Sequence, residues 1–359
     1  MQFERGCENL AFLEFRQKSS ACIVTVILRF RHASHLLSGY NANLGHPDLM
    51  NATVPKDCDL SKIEIGLGAW QWGDRLVWGY GHGYGDGDVR AAFEAAVDMG
   101  AALIDTAEIY GNGRSERLLG NFMRQGGKRV CVATKYFPWP WRLARSAVES
   151  SLRRSLDRLG LETVDLYQLH WPSPVGRNRP LLEAMARAVH DGLARAVGIS
   201  NFGTLETEDA HATLLGLGIP LASNQVHYSL LNRKVERNGL LDKCNALGIR
   251  LIAHTPLEKG LLSGKYSPHN PPHGLRFGQY ATILPRIAPL LRAMMDVGHA
   301  HGEKSCAQVA LNWVICKGAL PIPGGKSAAQ AIENAGAVGW RLSAEAVEHL
   351  DAVSDQIVT

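Results

Sequence analysis

Asp105, Tyr110, Lys135 and His170 bring together an acid, a phenol, an ammonium and an imidazole, each at or just past the end of a short apolar run. The runs read Leu103-Ile104-Asp105-Thr106-Ala107-Glu108-Ile109-Tyr110-Gly111, Val132-Ala133-Thr134-Lys135 and Leu166-Tyr167-Gln168-Leu169-His170-Trp171. As neighbouring parallel strands, about 4.8 Å apart, they set Asp105, Lys135 and His170 side by side on one rim. Tyr110, in the loop beyond Asp105, can fold back over them. Such a set suits proton delivery to an oxygen on which negative charge develops, as when hydride reaches a carbonyl carbon. A tyrosine is a weak acid with a reference pKa near ~10, and an adjacent ammonium is expected to lower it while Asp105 fixes the lysine. His170 is then placed to hydrogen-bond the carbonyl oxygen. Singly, a strand-end Lys or Asp is often an ion-pair partner and a His before Trp-Pro a loop cap. Four together at adjacent strand ends point to function.

The elements that must position these groups repeat along the chain. Strand candidates are Ile63–Leu67, Ala102–Asp105, Val130–Thr134, Val164–Leu169, Ala194–Ile199, Ala222–Gln225, Arg250–Ala253 and Ala319–Ile322. Most are continuous apolar runs, as expected of parallel strands covered on both faces. The segments between them suit helices: Val89–Met99 with Asp88 as cap, Leu143–Leu159 stopped by Gly160, and Val235–Leu247 stopped by Gly248. This alternation predicts an α/β fold, a closed (β/α)8 TIM barrel in preference to an open doubly wound sheet. Two long insertions, Arg75–Gly87 and Leu257–Pro285, follow strands one and seven, on the face where barrel enzymes carry their sites. Trp70, Trp72, Trp139, Trp141 and Trp171 follow strands one, three and four. Core packing is the default for any one tryptophan; their clustering favours an apolar carbonyl pocket, with Trp70, Trp72, Trp139 and Trp171 as its lining.

The chain of 359 residues has 46% hydrophobic and 20% charged residues, which allows a large core. A net charge of +4 without a Lys/Arg block gives no sign of nucleic acid or anionic lipid as a partner. The seven cysteines show neither C-x-x-C nor zinc spacing, so reduced thiols are expected and a disulfide scaffold is not. Residues 1–57 read as a poorly ordered extension, and residues 58–359 as the barrel. The apolar run Ala21–Leu28 is too short to cross a bilayer, which needs about 20 residues. Arg29-Phe30-Arg31-His32 after it does not suit a signal peptide, and Glu4, Glu8 and Glu14 do not suit a transit peptide. A cytoplasmic monomer or weak homo-oligomer is the expectation, with a plastid location if the extension is a targeting segment. No clean hairpin precedes Ile63 to close the barrel floor.

Asp105-Thr106-Ala107-Glu108-Ile109-Tyr110-Gly111, Ala133-Thr134-Lys135, Asp165-Leu166-Tyr167-Gln168-Leu169-His170 and Gly198-Ile199-Ser200-Asn201-Phe202 resemble, in order, the signatures of the aldo-keto reductase superfamily. The likeness covers about Lys62 to Val353. Trp72-Gly73-Asp74 and the Ser-Asn-Gln-Val-x-Tyr-Ser-Leu stretch beginning at Ser223 are similar to plant-chloroplast and bacterial members, some of which reduce pyridoxal. The resemblance implies NADPH as cofactor, a small-molecule carbonyl substrate and no metal. It implies that Ser200, Asn201 and Gln225 hydrogen-bond the nicotinamide carboxamide, as hydroxyl and amide groups can. His254-Thr255-Pro256-Leu257 matches a turn that usually reads Tyr-Ser-Pro-Leu, whose aromatic stacks on the nicotinamide; His254 is a departure. Leu257, Gly260 and Leu262 match the stretch along the pyrophosphate. Lys326 before a helix with Gln330, Glu333 and Asn334 matches the 2′-phosphate and adenine site, which favours NADPH over NADH; Gln330 stands where many relatives have Arg.

Other patterns lead nowhere. Gly324-Gly325-Lys326-Ser327 ends like a P-loop, but Leu320 occupies the position of its first glycine. Gly79–Gly87 contains no G-x-G-x-x-G, and His299-Ala300-His301 lies in a helical stretch without a carboxylate at a matching strand end. Two functions remain: a reductase of aldehydes or ketones with Tyr110 as general acid, and a cofactor-binding regulatory module of little turnover, like the channel-associated β subunits of the same superfamily.

Overall fold

Eight short apolar runs pair in parallel, in chain order, as one sheet: β1 (Gly66–Gly68), β2 (Leu103–Asp105), β3 (Cys131–Tyr136), β4 (Val164–Leu169), β5 (Ala194–Ser200), β6 (Leu221–His227), β7 (Arg250–His254) and β8 (Leu320–Ile322). The structure is a computed structural model, and it describes residues 58–271, 280 and 282–358. The expectation of a poorly ordered extension over residues 1–57 lies outside the described residues. A parallel bridge joins Gly68 to Gly324, with the Gly68 amide donating to the Pro323 carbonyl at 2.9 Å. The sheet thus curls back on its first strand as the expected (β/α)8 barrel.

Helices α1 (Asp86–Asp98), α2 (Arg114–Gly126), α3 (Arg145–Leu159), α4 (Asn178–His190) and α5 (Thr204–Leu215) follow β1 to β5 in turn. The short α6 (Lys234–Arg237) and α7 (Leu240–Ala246) follow β6. A 3-10 turn (Glu258–Ser263), α8 (Ala288–Ala300) and α9 (Cys306–Cys316) follow β7, and α10 (Ala328–Ala335) and α11 (Ala344–Val358) follow β8.

Residues two apart on a strand share a face, and this alternation sorts the barrel interior. Ile63, Leu103, Cys131, Ala133, Leu166, Ile252, Leu320 and Ile322 form one buried apolar cluster, with Cys58 and Leu60 packed against it. Two residues further along the same strands the chemistry changes. Leu103 is followed by Asp105, Ala133 by Lys135, Leu166 by Gln168 and Ile252 by His254. A dry floor and a polar rim are therefore written into each strand. The intervening residues, such as Tyr167, Leu169, Val197 and Ile199, pack under the helices in the largest cluster.

Several expectations change. At the barrel floor, Cys58 and Leu60 pack against the buried cluster that contains Ile63, and the segment where a hairpin was sought lies outside the described residues. Cys58 is disulfide-bonded to Cys131, the first residue of β3, with their Cα atoms 5.7 Å apart, an ordinary spacing for such a bond. All-reduced cysteines were the expectation; the two partners are 73 residues apart and only the closed floor brings them together. Cys244, Cys306 and Cys316 are free thiols. The first helix starts at Asp86, not after Asp88, whose carboxylate instead accepts from the Gly85 amide at 2.9 Å. The expected Val235–Leu247 helix is two helices, broken where Gly239 adopts φ +73°, a conformation that glycine reaches without strain.

Candidate active site

β2, β3 and β4 end side by side, and their inward rim positions meet as the residue types suggested. The Lys135 ammonium is paired with Asp105 Oδ2, donates to the Thr106 carbonyl at 2.8 Å and reaches Tyr110 Oη at 3.2 Å. Asp105 Oδ1 accepts from Gln225 Nε2 at 2.8 Å and from Gln168 Nε2 at 3.1 Å. The Lys135 and Asp105 side chains are only 0% and 3% exposed. Burying such a pair is tolerable when the remaining polar sites are also hydrogen-bonded, as they are here. The His170 ring stands edge-on to Tyr110 and to Phe137, with centroids 5.8 and 5.5 Å apart.

Burial works against the Lys135 charge, but Asp105 and Tyr110 beside it outweigh that and hold its pKa above the ordinary value. Burial pushes the Tyr110 phenol up; Lys135 pulls it down, Asp105 pushes it up, and the net is upward. This corrects the expected lowering of the phenol, because desolvation of a phenolate outweighs one paired ammonium. Burial thus favours the protonated phenol at this position. His170 lies well below the usual histidine value through burial, then through Lys135 and His254. Its Nδ1 is buried without a partner, which a lone pair tolerates better than an N–H. The proton accordingly belongs on Nε2.

His254 is also held well below the usual value, by burial first and then by His227, Lys135 and Lys259. A histidine neutral in the fold but free to protonate when unfolded contributes stability above pH ~6.5 that is lost as pH falls below it. The free energy of unfolding should thus decrease by about 1.4 kcal/mol per pH unit for each of the two residues on going below pH ~6.5. Urea denaturation of the wild type and of His170→Gln and His254→Gln checks this; equal slopes in all three would contradict neutral histidines.

The remaining rim carries the residues matched to a dinucleotide. Ser200 Oγ donates to the Gln225 carbonyl at 2.8 Å, and the Asn201 amide group donates to the His170 carbonyl and Ser200 Oγ, both at 3.0 Å. The Gln225 amide nitrogen is engaged inside the barrel, on Asp105 and on Gln168 Oε1 at 3.2 Å. His254 stacks on His227 with 5.5 Å between centroids. Thr255, Pro256 and Leu257 lead from it into the 3-10 turn, where Gly260 takes φ +100° and the Leu262 side chain is wholly buried. Beyond β8, Lys326 Nζ lies 4.7 Å above the Tyr84 ring, and the Lys326 amide donates to Gln330 Oε1 at 3.1 Å. Ser327 Oγ accepts from the Gln330 amide at 3.4 Å and caps α10. Asn334 Nδ2 donates to the Gly324 carbonyl at 3.3 Å, and the Glu333 carboxylate is bound by Ser305 Oγ.

These residues fit a nicotinamide dinucleotide phosphate. β5, β6, β7 and β8 are consecutive neighbours, so the hydroxyls and amides, the turn and the Lys326 helix end follow one side of the rim in order. A Cβ on Gly324 would sit 2.7 Å from the Gln71 amide, and Gln71 Oε1 is a buried acceptor without a partner. That leaves a backbone kept bare and an unsatisfied acceptor at the end assigned to the adenosine.

Of the four tryptophans expected to line a carbonyl pocket, one stands directly against the phenol. Trp70 lies over Tyr110, 6.2 Å between centroids and 28° from parallel, with its Nε1 on Asp74 at 3.0 Å. Trp139 packs against Phe137 at 4.4 Å and is stacked under Trp141 at 5.3 Å. Trp171, next to His170, is half-buried. Trp72 is not a pocket residue. It is fully buried, donates to the Gly325 carbonyl at 2.9 Å and packs edge-on against Phe93 and Phe122. Phe137 and Gln168 were missed. Gln168 lies two residues before His170 on one strand face, a spacing that identifies it; Phe137 is fixed by a contact far in sequence, its amide donating to Glu108 Oε1 at 2.8 Å. Among the described residues no cluster of three or more His, Cys, Asp or Glu is placed to hold a metal ion, and no helix is long and apolar enough to cross a membrane.

With an acid, its ammonium and an imidazole gathered at the barrel rim, the chain belongs to the aldo/keto reductase family, whose model matches residues 64–355; members are NADP-dependent oxidoreductases. It is 42% identical over 298 residues to the chloroplastic pyridoxal reductase of Arabidopsis thaliana, covering 79% of this chain and 81% of that one. Identity to the L-glyceraldehyde 3-phosphate reductase of Escherichia coli K12 is 32% over 299 residues, 76% and 83% of the two chains. Among solved structures, a thermostable aldo-keto reductase in complex with the inhibitor epalrestat matches with TM-score 0.66 and 30% identity, covering 81% and 94%. An aldo/keto reductase from Klebsiella pneumoniae in complex with NADP and acetate matches with TM-score 0.64 and 28% identity, covering 81% and 91%.

Proposed function

We propose that this chain reduces a planar aromatic aldehyde, of which pyridoxal is the model, with NADPH and with Tyr110 as general acid. The observation that carries the reading is the Lys135–Tyr110 contact at 3.2 Å, with His170 edge-on beside it. Bound NADPH supplies the hydride. Ser200, Asn201 and Gln225 would hold its carboxamide end, His254 would face the nicotinamide ring, and the turn through Thr255, Pro256 and Leu257 with Gly260 and Leu262 would line its diphosphate. Lys326 and the capped end of α10 take the 2′-phosphate, and Gln330, Glu333 and Asn334 the adenine. Tyr110 passes its proton to the carbonyl oxygen as charge builds there. Lys135, held charged by Asp105, stabilises the phenolate that results, which then regains a proton from solvent. His170 donates from Nε2 and fixes the direction of the oxygen.

Trp70, Phe137 and Trp139 support the aromatic preference, since flat rings present their faces and edges around the acid. Residues 58–359 form the catalytic barrel in this reading and residues 1–57 an extension to it. A fluorescent reporter fused to residues 1–57 separates a cytoplasmic placement from a plastid one. The activity test follows loss of NADPH absorbance with pyridoxal, 4-nitrobenzaldehyde and glyceraldehyde 3-phosphate. Turnover of the two aromatic aldehydes above the phosphorylated one is expected. Tight NADPH binding with no carbonyl turned over would favour the regulatory-module reading.

A further inference from the structure

Among the non-glycine residues with left-handed backbone, Asn201 at φ +63° and Thr255 at φ +58° each directly follow the last residue of a strand. Asparagine tolerates that region, whereas a β-branched threonine there is strained and calls for a reason. The side chains supply it. Asn201 Nδ2 donates to the His170 carbonyl at 3.0 Å. A carbonyl only accepts, so the amide nitrogen faces β4 and Oδ1 faces the other way. Oδ1 lies 3.2 Å from His254 Nε2, which must therefore carry a proton. The neutral ring then has a lone pair on Nδ1, and Thr255 Oγ1, 3.0 Å away, is the donor to it. The strained threonine places its hydroxyl where that lone pair needs it.

The groups around His254 keep it in this state. Its ring stacks 19° from parallel on His227. His227 Nε2 is in turn 2.6 Å from Glu258 Oε1, and its Nδ1 is 2.8 Å from Asn232 Nδ2. His227, Lys135 and Lys259, together with burial, all oppose a second proton on His254. Hydrogen bonds thus run one way, from the Thr255 hydroxyl through the His254 imidazole and the Asn201 amide to the His170 backbone, joining the end of β7 to the end of β4.

We propose that His254 is a positioning residue: as the neutral Nε2–H tautomer it clamps the Asn201 amide, and through it the strand end that carries His170. A ring without a nitrogen at this position would keep a flat face and lose the clamp. The kinetic part of this inference rests on the reductase reading; the tautomer does not.

The first experiment is nitrogen-detected NMR of the histidine rings in the full chain, with the His254 signals assigned by their loss in His254→Gln. One protonated nitrogen, Nε2, is expected at neutral pH, persisting as the pH falls well below the ordinary histidine range. Thr255→Val, which keeps the shape and removes the donor, is expected to mix the two tautomers, and Thr255→Ser to preserve the wild-type pattern. The second experiment compares His254→Phe with His254→Gln, whose amide can still donate to Asn201. Loss of one such hydrogen bond predicts a roughly tenfold fall in kcat/KM for Phe, with Gln recovering most of it. An Nδ1–H tautomer or an imidazolium at neutral pH would overturn the clamp, as would Phe matching Gln. If the wild type turned over no carbonyl, the reductase reading would fail while the NMR result still decided the clamp.

Discussion

Tyr110→Phe is expected to bind NADPH as the wild type does and to lose about 10²–10⁴-fold in kcat, the span that a positioned general acid contributes. The substitution removes one oxygen. The ring keeps its place under Trp70 and edge-on to His170, and Lys135 keeps its bond to Asp105 and to the Thr106 carbonyl. What disappears is the proton that burial holds on the phenol. Because the loss falls on a step made in the transition state, KM should change little while kcat and kcat/KM fall together. A variant that reduced pyridoxal at the wild-type rate would remove Tyr110 from the chemistry. Equal loss of cofactor affinity would place its role in binding.

Lys135→Met has the largest expected effect on stability. Removing one partner of a buried ion pair leaves the other without compensation, at a typical cost of about 3–5 kcal/mol. Asp105 would keep only the Gln168 and Gln225 amides, inside a site where the lost ammonium is replaced by a thioether. The double variant Asp105→Asn, Lys135→Met removes both charges, so much of the stability should return, whereas turnover should not. Denaturant midpoints for the wild type, both single variants and the double variant give the coupling directly. A double variant as unstable as the sum of the singles would mean that the pair does not interact as its geometry indicates. A double variant that regained activity would show Lys135 to be structural only.

Asp105, Lys135 and His170 were legible because each lies at or next to the end of an apolar run, and the pairing of β2, β3 and β4 in chain order sets them on one rim, with Tyr110 following in the loop after β2. Strand bounds were less so. β1 is Gly66–Gly68, not Ile63–Leu67, because its partner β2 offers only three residues to pair with; Ile63 joins the floor instead. The fate of Trp72 was beyond the sequence, since its indole partner is the Gly325 carbonyl, more than two hundred residues away in the chain. The sign of the Tyr110 shift was misjudged for a similar reason: a neighbouring lysine can be read from spacing, but the depth of burial that outweighs it cannot. The double duty of Gln225, whose nitrogen braces Asp105, depends on which way one amide turns.

Leu103 and Asp105 are separated by one residue, yet the first seals the floor and the second holds the ammonium. Deleting a single residue within β2 would turn Ile104 inward and drive a carboxylate into the apolar layer under the helices, spoiling both ends of the strand at once. Changes of length are therefore admissible only where no such alternation is in force. Arg75–Gly87 and Leu257–Pro285, the two long additions to this chain, both begin after a strand has ended.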